Sequence, residues 1–401
     1  MTCIAAAPAR PASPLWVAFG LALGPAATLG LARFAYALLL PAMRADLGWS
    51  YAQAGAMNTV NAVGYLLGSL VAAGLAARRG SRASFLVSMA VTALALLASA
   101  ATRDFALLLL LRLVAGVSGA VTLVAGAGLA AHAGAGDRGR PALVLGIYFG
   151  GGGFGIVASA LTTPLLIGVS PAGWPHGWIA LGLTGLAATL LAVPAARRSP
   201  APELRAKTPP APWSRRALLP TFASYFLFGA GYIGYMTFII AFLRGEGFRG
   251  GAIAAFWSIL GAAGIAGAFL WGPMLARLRG GWGMAAMLAV VTAGSALPLL
   301  PAGPGTVYAS ALLFGGTFLA EVAAVVAFAR KATPVAAWTP VIGALTTAFA
   351  LGQCLGPVLA GVLSDVAGAV RAGLVLSAVI LALAALLATL QREPRGQAGA
   401  A

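Results

Sequence analysis

Three charged residues, Arg33, Arg112 and Glu321, stand deep inside long apolar runs of the 401-residue chain. A charge in an apolar medium costs at least ~2.5 kcal/mol on insertion scales, so each of the three calls for a reason. Arg33 lies about nine residues from the end of its run and Arg112 about eight from the end of its own, or ~14 and ~12 Å at the helical rise. Two guanidinium groups at similar depth that face one cavity would form a bidentate anion site. The plainer alternative is that each arginine caps backbone carbonyls or pairs with Asp46 or Asp104 at the rim. Glu321 shares a helical face with Phe314, Phe318, Val325 and Phe328. A carboxyl group on such a face can take up a proton and release it when a cavity opens, which is what proton coupling requires. Its alternatives are a permanent ion pair with one of the arginines and a protonated structural glutamate.

Polar and aromatic side chains at helical spacing widen the set of candidates. Asn58, Asn61 and Tyr65 recur at i, i+3, i+7, and Tyr225, Phe228, Tyr232 and Tyr235 form a stripe. Tyr36 follows Arg33 by one turn. Such groups can hold a ligand by hydrogen bonds and stacking, or can serve packing between helices. Tyr36, Asn61, Tyr232 and Tyr235 are the preferred cavity residues. The run Gly150 to Gly153 with Gly155 allows close helix approach and a hinge, with packing as its main role. Arg78, Arg79 and Arg82 can cap helix C-termini and latch one side of the molecule, or act only as a topology signal. His132 and His176 are expected in loops. No spacing of His, Cys and carboxylate suits a metal, no loop suits a phosphate, and no nucleophile is paired with a base. No cofactor, no metal and no enzymatic activity are therefore expected.

The elements that must position these residues follow from composition. The chain is 61% hydrophobic and only 8% charged, against roughly 25% charged in soluble domains. Such a surface suits lipid, not water. Twelve apolar runs are long enough to span a bilayer: 15–42, 51–77, 83–101, 105–131, 141–168, 176–195, 217–243, 251–276, 282–300, 305–329, 339–364 and 372–391. The opening MTCIAAAPARPASP is expected to be a disordered tail. Residues 196–216 are Pro-rich, basic and without apolar period, and are expected to form a linker.

The net charge of +17 does not indicate nucleic acid, because the basic residues fall in short clusters between spans. With twelve spans, 18 of the 25 Lys and Arg residues lie on the side of the termini and five on the other. This positive-inside pattern places both termini in the cytoplasm. An internal repeat at an offset of 200 residues aligns Arg44-Ala-Asp46 with Arg244-Gly-Glu246, and Ala76, Arg79 and Gly80 with Ala276, Arg279 and Gly280.

Three stretches resemble the major facilitator superfamily. The loop Gly74-Leu-Ala-Ala-Arg78-Arg79-Gly80-Ser-Arg82 is similar to its basic loop between spans two and three. Arg112-Leu-Val-Ala-Gly116 is similar to its Arg-x-x-x-Gly motif in span four. Gly146 to Gly155 is similar to the Gly-rich fifth span of its antiporters. The stretch from Gly30-Leu-Ala-Arg33-Phe34-Ala-Tyr36 to Pro41-Ala-Met43 resembles the YbfB/YjiJ-like branch. Ala77 stands where the loop motif usually has Asp, and the Gly-rich span lacks the Pro of drug antiporters, with Pro164 further on. Assignment as a drug/proton antiporter therefore does not follow automatically. The resemblance implies an all-α membrane protein of twelve transmembrane helices in two pseudo-symmetric six-helix bundles, with spans one and four lining a central cavity.

The expected organisation is a tail (1–14), an N-terminal half (15–195), a cytoplasmic linker (196–216), a C-terminal half (217–391) and a second tail (392–401). The expected function is secondary active transport of a small organic solute, an anion or carboxylate-bearing compound, by alternating access with proton coupling. Efflux of amphipathic drug-like compounds is the alternative, and a non-transporting sensor or scaffold a remote one. The partners expected are the solute, protons and the lipid of a bacterial plasma (inner) membrane, with no nucleic acid, and the chain is expected to act as a monomer.

Overall fold

The computed structural model describes residues 13–135, 141–167, 171–199, 213–301 and 303–392. Most of the expected linker and most of both expected tails lie outside these; Pro14, at the end of the first expected tail, already begins a helix. Among the described residues, twelve helices are long and apolar enough to cross a membrane. They are α1 (Pro14–Leu47), α2 (Tyr51–Arg79), α3 (Ser81–Ser99), α4 (Phe105–Ala135), α5 (Pro141–Ile167), α6 (Trp174–Arg198), α7 (Leu219–Gly245), α8 (Gly250–Leu270), α9 (Trp282–Ala296), α10 (Pro304–Ala332), α11 (Trp338–Val366) and α12 (Val370–Thr389). The expected eighth span breaks at Trp271, and a short helix, Gly272–Arg277, follows it. His132 and His176 belong to the ends of α4 and α6, not to loops.

Packing within the two halves is equivalent. Helix α1 packs on α5 and α6, α2 on α4, and α3 on α4 and α6. The same pairs recur with six added to each number: α7 on α11 and α12, α8 on α10, and α9 on α10 and α12. The halves meet through α2 against α11, α5 against α8, and α1 against α7. Large apolar side chains such as Leu70, Leu94, Leu190 and Leu386 point outward, where lipid would meet them.

Helix α1 extends to Leu47, beyond the expected end at residue 42. Its middle, Ala26–Phe34, is π-helical, between α-helical segments Pro14–Pro25 and Tyr36–Leu47. Pro25 lacks an N–H donor, so the regular ladder is interrupted there, and the Ala35 N–H reaches back to Gly30 O (3.0 Å). Wide turns of this kind often mark functional positions, and Arg33 lies in this one. The segment is held against α5 by glycines. A Cβ at Gly30, Gly151 or Gly155 would overlap the backbone of the facing helix. Gly151 and Gly155 thus serve packing inside the N-terminal half. Gly150 and Gly153 face α8 in the other half, where Ile265 and Gly261 approach. The whole run is continuous helix.

One face of the molecule carries the start of α1 and the end of α12, with Arg78, Arg79 and Arg82 between α2 and α3; it is called the basic face below. Among the described residues, the hydrogen bonds found between the halves lie near the midplane or toward the opposite face. Asp365, at the end of α11, accepts from the Tyr51 and Ala52 backbone N–H groups (2.7 and 2.8 Å). These are orphan donors at the start of α2, where the helix dipole favours a carboxylate. Ser50 completes that cap in a reciprocal box with Gln53. Deeper in, Thr59 Oγ1 donates to Cys354 O (2.9 Å), Asn58 Nδ2 to Thr237 Oγ1 (2.8 Å), and Trp257 Nε1 to Ser159 Oγ (3.2 Å). Near the basic face, α4 packs substantially on neither α10 nor α11. The Arg82 guanidinium donates to Ser199 O, at the C-terminus of α6 in its own half. It caps a helix end, and does not latch the two halves in this state.

Candidate functional site

Arg112 is fully buried in the N-terminal half. Its Nη2 donates to Asn58 Oδ1 (2.8 Å), its Nε to Met57 O (3.3 Å) and its Nη1 to Ala32 O. The Ala32 carbonyl sits where α1 changes from π to α register. One side chain of α4 thereby ties α1 and α2 together. Asn61 Nδ2 returns a hydrogen bond to Arg112 O (3.1 Å). The Tyr36 ring lies 5.1 Å from the guanidinium and stacks on Trp178 at 6.3 Å, and its hydroxyl donates to Ala54 O (2.9 Å). Tyr36, Asn61 and Arg112 therefore form one network in the N-terminal half, whose Asn58 also reaches Thr237 in the other half. Gly64, Gly68 and Gly116 let α2 and α4 approach closely enough for it.

Arg33 is equally deep but placed differently. Its Nη2 donates to Gln353 Oε1 (2.6 Å) on α11, and Gln353 Nε2 donates to the Tyr232 hydroxyl (2.8 Å) on α7. The Tyr65 ring lies 5.2 Å from its guanidinium carbon. The chain Arg33–Gln353–Tyr232 crosses from one half to the other. No carboxylate pairs with Arg33 or Arg112 among the described residues. Asp46, one of the expected rim partners, binds Arg103 (3.1 Å) and the Trp174 indole N–H (2.8 Å) instead.

Tyr232 belongs to a run of stacked rings. Tyr225, Phe228 and Tyr232 each stack on Phe349 (4.6, 5.5 and 5.6 Å), Phe228 stacks on Tyr232 (5.1 Å), and Tyr232 stacks on Phe318 (6.0 Å). Phe34, next to Arg33, meets Phe318 edge-on at 5.8 Å. Tyr225, Phe228 and Tyr232 on α7 thus stack with rings of α10 and α11, and Tyr235 departs from them. The Tyr235 hydroxyl lies 2.6 Å from Ser310 Oγ, and its ring stacks on Phe314 at 4.1 Å. Its contacts tie α7 to α10 within the C-terminal half.

Glu321 is 1% exposed, and its Oε2 has no hydrogen-bond partner. Neither arginine pairs with it, so the ion-pair alternative is not what the fold builds. Phe314, Phe318, Val325 and Phe328 are buried on the same face.

Several members of the site did not stand out in the sequence. Gln353 and Phe349 are one helical turn apart on α11 and contribute the amide and a ring. A lone amide in an apolar run is a weaker signal than a charge, yet it obeys the same cost argument. Asn58 and Tyr65 fit the helical pattern, but their contacts to the two arginines depend on how α2 is turned. Thr237 and Asp365 join the halves through pairings that no local pattern reveals.

A sequence model described as "Uncharacterised MFS-type transporter YbfB" matches residues 25–389. No functionally curated protein matches the chain. Among solved structures, the fold is similar to the nucleoside transporter NupG (D323A mutant), with TM-score 0.74 and 13% identity over 93% of this chain and 99% of that one. It is also similar to a bacterial homolog of the human lysosomal transporter Spinster in an inward-facing, unoccupied conformation. That match has TM-score 0.70 and 17% identity, over 96% of this chain and 97% of the other. With twelve membrane helices in two equivalent halves and a sequence match across nearly the whole chain, the protein belongs to the YbfB-type family of major facilitator superfamily transporters.

Proposed function

We propose that this transporter moves a small organic solute bearing a carboxylate, by alternating access and with proton coupling. The observation that carries this reading is the state of Arg33. A buried guanidinium at the junction of the halves, bonded to a neutral amide and not to an acid, leaves its charge uncompensated. An anionic group can complete it, and the guanidinium fork suits a carboxylate. Stacked rings beside it offer apolar walls for the rest of the solute. Arg112 acts as a positioning residue that fixes α1, and with it Arg33.

Glu321 is the proposed proton site. Its unpartnered carboxyl oxygen stands one helical turn beyond Phe318 on α10, on the side where the halves share fewer bonds. The concentration of bonds between the halves toward the opposite face describes a state closed there. Rocking would exchange those bonds for contacts near the basic face, with Gly150 and Gly153 sliding on α8. The clustering of arginines on the basic face supports a cytoplasmic assignment for it, with both termini inside a bacterial plasma membrane.

Proteoliposomes with an imposed pH gradient test the coupling. Glu321→Gln keeps solute exchange but loses proton-driven accumulation; accumulation that still follows the pH gradient in this variant would remove Glu321 from the mechanism. The ring stack also favours a second reading, export of amphipathic aromatic compounds. In that case neutral aromatics are transported, and Arg33→Ala does not alter their flux.

A further inference from the structure

A second site lies away from the junction, on the outer surface of the N-terminal half. Helices α2, α3 and α4 leave an elongated groove of about 320 Å³ between them. Its walls are apolar, with Leu75, Val87, Val91 and Val117 among the lining side chains. On α3 it runs from Ala83 to Val91, which is ~12 Å at the helical rise. One leaflet of hydrocarbon is ~15 Å deep, half of the ~30 Å core. The groove therefore descends through most of one leaflet, from the basic face toward the midplane.

Two polar features stand near the basic-face end. Arg79, an exposed residue at the end of α2, lines the groove at the level of the α2–α3 turn. Ser84, in the first turn of α3, lines it as well; it is 3% exposed and its hydroxyl has no hydrogen-bond partner. Ser88 and Ser118 also line the wall, but their hydroxyls are bonded to Thr122 and Thr92. A buried hydroxyl without a partner is costly, and here it lies in the wall of a slot with a cation at its mouth. Van der Waals walls of leaflet length, a hydroxyl donor at ester depth and a guanidinium at headgroup depth match one class of molecule.

We propose that this groove is a binding site for an anionic phospholipid. One acyl chain lies along Val87 and Val91, the Ser84 hydroxyl donates to an ester carbonyl, and Arg79 binds the headgroup phosphate. The charge complementarity at Arg79 selects an anionic lipid over a zwitterionic one. The site is independent of solute transport and would couple the packing of α2, α3 and α4 to membrane composition.

Native mass spectrometry of the full-length, delipidated protein tests this, with phosphatidylglycerol, phosphatidylcholine of the same acyl chains, and inorganic phosphate as separate probes. Wild type retains phosphatidylglycerol about fivefold more tightly than phosphatidylcholine, the factor expected for one well-placed arginine. Arg79→Gln abolishes the preference, whereas Arg78→Gln, one residue away and not lining the groove, keeps it. Ser84→Ala weakens lipid retention without lowering the melting temperature, because no protein hydrogen bond is lost. Val87→Trp, at a side chain 57% exposed, fills the slot and removes the tightly held lipid. The proposal is overturned if the preference survives Arg79→Gln, if Arg78→Gln reduces it equally, if Val87→Trp leaves lipid retention unchanged, or if inorganic phosphate binds as tightly as phosphatidylglycerol.

Discussion

The two buried arginines have the same chemistry and nearly the same burial, yet their surroundings differ. Arg112 is enclosed by acceptors of its own half, with three nitrogens bonded to α1 and α2 and an aromatic pair alongside. Arg33 reaches across the junction to one neutral amide on α11. On the reading proposed above, a guanidinium whose donors are satisfied within one half has a structural task, and one that is bonded across the junction of the halves without a countercharge is open to a ligand. Depth and residue type alone do not separate these cases; the identity of the acceptors does.

The comparison breaks most readily at Arg112. Arg112→Ala strands Asn58 Oδ1, at about 1–3 kcal/mol for one buried unpaired group, and leaves a cavity in addition. The expected result is a large drop in melting temperature and in yield of folded protein. A variant with near-native stability and lost transport would instead return Arg112 to the solute site.

Gln353→Ala sharpens the other side. It leaves Arg33 without its acceptor and disconnects Tyr232. We expect solute affinity to fall about tenfold, or ~1.4 kcal/mol, because Arg33 loses the group that positions it, with a smaller drop in melting temperature than Arg112→Ala shows. Binding assays beside thermal unfolding separate the two effects. A variant that unfolds as Arg112→Ala does would place both arginines in the same structural class.

The smallest effect is expected at Tyr36. Tyr36→Phe removes one hydrogen bond, to Ala54 O, and keeps the stack on Trp178. A loss of about 1 kcal/mol in stability with unchanged affinity is the outcome in keeping with a network in the N-terminal half. A clear loss of affinity would extend the solute site to it.

Much of the architecture was legible in the residues. Hydropathy located the twelve helices, and the offset of 200 anticipated the equivalent packing of the halves, because both depend on local patterns. Ser50 and Gln53 also announce their cap by spacing alone. The candidate site was legible only in part. Arg33, Arg112 and Glu321 stand out because charge is scarce, and the helical stripe on α7 pointed to Tyr232. Which arginine is satisfied was not readable, since it depends on the π-helical turn at Ala26–Phe34 and on the facing of α2 and α11. Gln353 and Phe349 gain their role only when α11 is laid against α2 and α7. Asp365 appears as an ordinary helix-end acid until it is seen on the N-terminus of a helix from the other half.

The central claim is that Arg33 is the anion-binding group. Thermal stabilisation by a panel of small carboxylates and their uncharged amides, applied to wild type and Arg33→Ala, tests it most directly, since a ligand that binds the folded state raises its melting temperature. The account predicts that at least one carboxylate stabilises wild type, that its amide does not, and that Arg33→Ala folds but loses the response. Equal stabilisation of wild type and Arg33→Ala by the same carboxylate would contradict it.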